Sequence, residues 1–142
     1  MLGRKTFTQK ELDDATTAIE RQLAAYKKLA GAVEATGDAK AEAALAAFEP
    51  LFAKSLVLAL DRRFVHRLRS VTGKDGNPLN ELELLTASLM DHGGVLQGSS
   101  VIDFKPDASV LGLELGDRIE PSAADFGRLA EAVLADIDAK YV

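Results

Sequence analysis

Residues 48–71 read FEPLFAKSLVLALDRRFVHRLRSV, and the way this stretch winds decides the fold. On a helical wheel at about 100° per residue, Leu51, Phe52, Ser55, Leu56, Val57, Leu58, Ala59 and Leu60 cover most of the circumference. Only Lys54 and Asp61 interrupt them. A helix apolar nearly all round is expected to be buried. From Phe64 on, the apolar arc narrows to Phe64, Val65, Leu68 and Val71, and the opposite face carries Arg62, Arg63, His66, Arg67, Arg69 and Ser70. The first half therefore asks for cover on almost every side, the second for one partner and one solvated face. Pro50 lacks a backbone donor and disfavours helix at Glu49, so a new helix or a kink is expected there.

Upstream, Thr8 and Glu11 form a capping box, with Phe7 and Leu12 placed as a hydrophobic staple. Leu12, Ala15, Ile19, Leu23, Tyr26, Ala30 and Val33 then make one apolar stripe. Gly37 supplies a stop and Asp38 a new cap, which predicts an antiparallel helical hairpin. The second helix opens with six alanines between Ala39 and Ala47. They serve helix propensity or a close helix–helix approach.

Downstream, residues 72–78 (TGKDGNP) break the chain. Asn77 with Pro78 suits a cap and first helical position, and Asn80 with Glu83 offers an alternative cap. Leu79, Leu82, Leu85, Leu89 and Met90 mark a short amphipathic helix that ends at Gly93-Gly94. Residues 95–120 lose the helical period. Val101–Phe104 and the alternation of Leu111, Leu113 and Leu115 read as two strands, with Arg118–Glu120 as a short third. Ser122 and Asp125 form a second capping box, and a last amphipathic stripe runs from Phe126 to Tyr141. The expected fold is α+β and predominantly helical: four or five helices, with a small antiparallel β-hairpin before the last one. With 142 residues and neither repeat nor linker, residues 1–142 are expected to form a single domain.

Composition narrows the functional classes. The net charge of −5 argues against wholesale nucleic-acid binding. There is no cysteine, so disulfides, thiolate catalysis and zinc–thiolate sites are excluded, which fits a reducing cytoplasm. The run Leu51–Leu60 is too short to span a bilayer, and the first twelve residues lack the apolar core of a signal peptide. No membrane partner is expected. Phosphate-binding glycine patterns are missing. Residues 75–78 begin like a calcium loop, but Leu79 falls where a ligand is needed. His66 and His92 have no metal-ligand spacing. No metal, cofactor or catalytic residue is expected. Ser55 is either a nucleophile or a small residue bonding back to a carbonyl one turn earlier.

The most informative polar group is the basic face. Arg62, Arg63, His66, Arg67 and Arg69, with Lys74 and Asn77 beyond them, could form an anion site for a phosphate or a carboxylate, completed by Asn80 and Glu81. The alternative is that they serve as cations near a helix C-terminus, paired with the chain's 22 acids.

The string FVHRLRSVTGKDGNPLNELELLTASLMDHGGVL (64–96), preceded by FEPLF (48–52) and followed by SVLGLELGDRI (109–119), resembles a family of small uncharacterised proteins found mainly in actinobacteria. The resemblance covers nearly the whole chain. It implies a bacterial cytoplasmic protein and carries no activity or site residues.

No motif names an activity. The leading expectation is a non-enzymatic, self-associating protein, a homo-oligomer with a structural or interaction role, because the Leu51–Leu60 surface exceeds what a small domain covers easily. The competing class is a ligand-binding module, or an enzyme on an acidic metabolite, that uses Arg63, His66 and Arg67 on a small anion or an acidic partner protein. A deep pocket with convergent polar groups would favour the second class.

Overall fold

The computed structural model describes residues 6–69 and 71–142. Met1–Lys5, where the signal-peptide reading partly falls, and Ser70, placed above on the polar face, lie outside the described residues. Among the described residues helix makes up 69%, in four helices: α1 (Gln9–Thr36), α2 (Ala39–Leu68), α3 (Pro78–Asp91) and α4 (Ala123–Tyr141).

Both predicted capping boxes form. Thr8 Oγ1 accepts from the Glu11 N–H while Glu11 accepts from the Thr8 N–H, and Ser122 and Asp125 repeat the arrangement at α4. Asn77, not Asn80, caps α3, with Pro78 in its first turn. Gly37 ends α1 at φ 65°, a left-handed conformation open to a residue without a Cβ, and the next residue, Asp38, caps α2. α1 and α2 are thus an antiparallel hairpin, as their short connection predicts.

α2 does not restart at Pro50 but continues through it. It is interrupted further on, where Asp61–Val65 make a π turn in which the His66 N–H reaches back to the Asp61 carbonyl. The buried residues explain the turn. Ala53, Leu56, Val57 and Leu60 form one helical stripe, and Asp61, Phe64, Val65 and Leu68 form a second, one residue out of phase with the first. A π turn takes up one extra residue and keeps both stripes on the same side of the rod. The two halves of α2 differ because of this phase slip.

The most enclosed helix is α3, not the first half of α2. Leu79, Leu82, Leu84 and Leu85 are buried, and so are Asn80, Glu81 and Ser88. α3 packs against α2, its π turn and α4, and α4 packs in turn on α1 and α2. Phe7 meets Phe64 edge to face at 5.0 Å, closing the core at the start of α1.

The α+β expectation is overturned. Among the described residues there is no β-strand, only an isolated antiparallel bridge between Val95 and Arg118, so no hairpin precedes α4. The cause lies in where the N–H groups go. Val101 and Ile102 donate to Ser99 Oγ, Asp103 to the Lys74 carbonyl, and Phe104 to the carbonyl of Ile102, two residues back. Gly112 and Leu113 donate to Ser109, and Glu114 to Asp117 Oδ2. Val101, Ile102, Gly112, Leu113 and Glu114 thus spend their N–H groups on local turns, Asp103 reaches the loop before α3, and the third candidate, Arg118–Glu120, contributes only the single bridge to Val95, which leaves no ladder to form. Val110 and Leu111 donate instead to the Glu81 carboxylate, at 2.8 and 3.1 Å, and the Ser109 hydroxyl joins them at 3.1 Å. Ser88 Oγ similarly accepts from the Gln97 N–H. A loop without strands is thus fastened to the polar side chains of α3.

Candidate functional site

The helical hairpin outgrows the body. From Ala24 to Phe48, across the end of α1 and the start of α2, no residue is buried. These residues form an arm. At its root Tyr26 stacks on Phe52 (5.5 Å), which stacks on Phe48 (5.7 Å). Glu49 locks the root to the body by accepting the Ala123 N–H at 2.8 Å, in the first turn of α4. Burial first, then the neighbouring Glu49 carboxylate to which it is hydrogen-bonded, raises the Tyr26 hydroxyl above its ordinary pKa.

The surface from Leu51 to Leu60, expected to lie under cover, is divided. Ala53, Leu56, Val57 and Leu60 face the body, while Leu51 is 61% exposed and Ser55 and Ala59 are open. Phe48 (46%) and Leu29 (48%) extend the uncovered area along the arm. Ser55 Oγ donates to the Leu51 carbonyl at 3.1 Å, the back-bonded alternative of the two read from sequence. Together Ala44, Phe48, Leu51, Ser55 and Ala59 make one open stripe on the side of α2 away from its buried residues. The stripe runs directly into Arg62 and His66. The sequence reading left out Phe48 and Leu29. Their signal was the alanine-rich segment around them, which gives a helix too little bulk to bury.

The basic residues are distributed unevenly. Arg62, Arg63, His66 and Arg67 are exposed on the last turns of α2. Arg63 and Arg67 border an open groove of about 280 Å³ with Phe7, Phe64, Glu11 and Asp14, so two acids of α1 face the two guanidinium groups. Arg69 turns the other way. Its guanidinium lies 2.9 Å from both carboxylate oxygens of the buried Asp61 and 3.8 Å from Glu83. Burial, reinforced by the Asp61 charge and opposed by Arg69, pushes the Glu83 carboxyl above the usual range. Lys74 is exposed in the loop before α3. Asn77 is occupied locally: its carbonyl oxygen caps α3, and its amide donates to the Thr72 carbonyl and to Asp75 Oδ1, which lowers the Asp75 pKa. Asn80 links Gly76 to Gly73, and Glu81 holds the loop. The residues expected to complete an anion site thus shape the loops around α3.

Among the described residues no group of three or more His, Asp or Glu side chains converges on one point. Ala39–Leu68 does meet the length and composition of a membrane span, because the alanine-rich turns lengthen the apolar run read from sequence. One 18-residue window has a mean hydropathy of 1.7, and 22% of it is buried inside the protein. The core helix of a soluble protein meets the same criteria. Protein-family models, curated proteins and solved structures give no match to this chain, so its reading rests on its own residues.

Proposed function

We propose that this chain is a non-enzymatic, self-associating protein with a structural or interaction role, and that the α1–α2 arm is its means of association. The observation that carries this reading is the run Ala24–Phe48 without a buried residue, continued by Leu51, with an exposed stripe on α2 from Ala44 through Phe48, Leu51 and Ser55 to Ala59 that carries no charged side chain. Large side chains left uncovered side by side mark interfaces. Leu29, Phe48 and Leu51 sit on adjacent helical rods, with Phe48 held in place by its stack on Phe52. The groove beside the arginines is shallow and already faces two carboxylates, which supports assembly over capture of a small anion. A cytoplasmic setting belongs to the same proposal, supported by the absence of cysteine.

Sedimentation equilibrium from sub-micromolar to high micromolar concentration tests it. The expected result is a mass that rises from 15.1 kDa to a multiple of that value. A species of 15.1 kDa throughout overturns the reading.

A further inference from the structure

The open stripe of α2 has an order that its composition does not require. Its members run Ala44, Phe48, Leu51, Ser55, Ala59, and all are exposed. Place a second α2 against it, antiparallel, with the two-fold axis at the Leu51–Phe52 peptide. Ala44 then faces Ala59 of the second copy, Phe48 faces Ser55, and Leu51 lies beside its own symmetry mate. The bulky Phe48 thus meets the small Ser55, the alanines let the two rods approach closely at both ends, and the two Leu51 side chains fill the centre between them. The Ser55 hydroxyl already bonds to the Leu51 carbonyl, so covering it strands no polar group.

Charge follows the same symmetry. Beyond Ala59 the stripe ends in Arg62, Arg63, His66 and Arg67, all exposed. Beyond Ala44 it reaches the tip of the arm, where Glu34, Asp38 and Glu42 are exposed and Lys40 is the single cation among them. The last turn of α1 adds no basic residue. Antiparallel pairing brings each basic end onto the other copy's acidic tip. Parallel pairing would set basic end against basic end.

We infer that the partner of the α2 stripe is a second copy of this chain, docked antiparallel about Leu51, with Arg62 and Arg63 of each copy on the acidic arm tip of the other. This rests on the self-association proposed above and specifies its face and register. An isologous contact of this kind closes on itself and yields a dimer, not a fibre.

The cysteine-free sequence allows a direct test. Leu51→Cys, Ala44→Cys and Ala59→Cys are made singly in the full chain and oxidised at a concentration where sedimentation shows dimer. Leu51→Cys should link to itself. Ala44→Cys and Ala59→Cys should each remain unlinked alone and link when mixed, because a disulfide requires Cα atoms within about 7 Å. Self-linking of all three indicates parallel pairing, and no linking indicates another face. Either result overturns this inference while the dimer, and with it the broader reading, stands. An Arg62→Glu, Arg63→Glu variant should weaken dimerisation by about tenfold or more in dilute salt, and adding Asp38→Lys and Glu42→Lys should restore it. An unchanged dissociation constant overturns the proposed register. A monomer at every concentration overturns both readings. If that monomer floats with phosphatidylcholine–phosphatidylserine vesicles, lipid and not a second copy occupies the stripe.

Discussion

α3 and the arm make opposite use of side-chain chemistry. α3 carries Asn80, Glu81 and Ser88, and all three are buried. The arm carries Leu29, Phe48 and many alanines, and none is buried. In most helices polarity predicts exposure. Here Glu81 and Ser88 go inside because a 31-residue connection, residues 92–122, brings N–H groups with no strand to pair in and must find acceptors, and Asn80 goes inside because it joins Gly73 to Gly76 in the loop before α3. The apolar groups of the arm stay outside because the hairpin is longer than the body it springs from. Burial in this chain is set by which backbone needs a partner and by where the next element ends, and only then by hydropathy.

The contrast can be broken most severely at Glu81. Glu81→Ala deletes an acceptor used by Val110, Leu111 and Ser109 and leaves N–H groups in the loop unpaired. It should cost about 4 kcal/mol of monomer stability, taking each hydrogen bond to a charged group at its usual worth. Urea unfolding reads this directly, and a loss below about 1 kcal/mol would mean that the loop holds itself. Next comes a matched pair of leucines. Leu85→Ala, at a fully buried site in α3, should cost about 3 kcal/mol. Leu29→Ala on the arm should change monomer stability by less than about 0.5 kcal/mol and raise the dissociation constant of the assembly. If both cost alike in dilute monomer, the arm is packed after all.

The smallest effect is a pH dependence at Glu83. Burial holds its folded-state pKa above the unfolded value of about 4.3. A carboxyl with a raised folded pKa contributes stability at low pH and loses that contribution as pH rises through the folded value. Glu83→Gln should therefore match or exceed the wild type in stability at pH 7, and that relative gain should shrink toward pH 4. Thermal melts of both proteins across that range check the sign. A variant less stable at pH 7 than the wild type would show that the 3.8 Å approach of Arg69 outweighs the burial.

What the sequence disclosed was local. The caps at Thr8, Asp38, Asn77 and Ser122 are legible because donor and acceptor lie within three residues. The phase slip that demands a π turn is also written in the order of Ala53 to Leu68, although as a change of hydrophobic arc it reads as a change of surroundings. The loop was illegible because its acceptor, Glu81, is 28–30 residues upstream, and an isolated Glu on a helix carries no mark of burial. Alternating Leu111, Leu113 and Leu115 imitate a strand, while the turn hydrogen bonds that replace it come from Ser109 and Asp117. On the candidate surface, the exposure of Arg62, Arg63, His66 and Arg67 follows from the wheel. The capture of Arg69 does not, since Asp61 lies eight residues away and faces inward.

The clamp from Glu81 to the loop also imposes an order in time. Residues 109–111 have no ladder of their own and cannot settle until the carboxylate that receives them is in position. α3, whose cap and first turn are local, has no such dependence. Refolding should therefore run on two clocks: helical signal returns first, and protection of the Val110 and Leu111 amides follows only once α3 has docked.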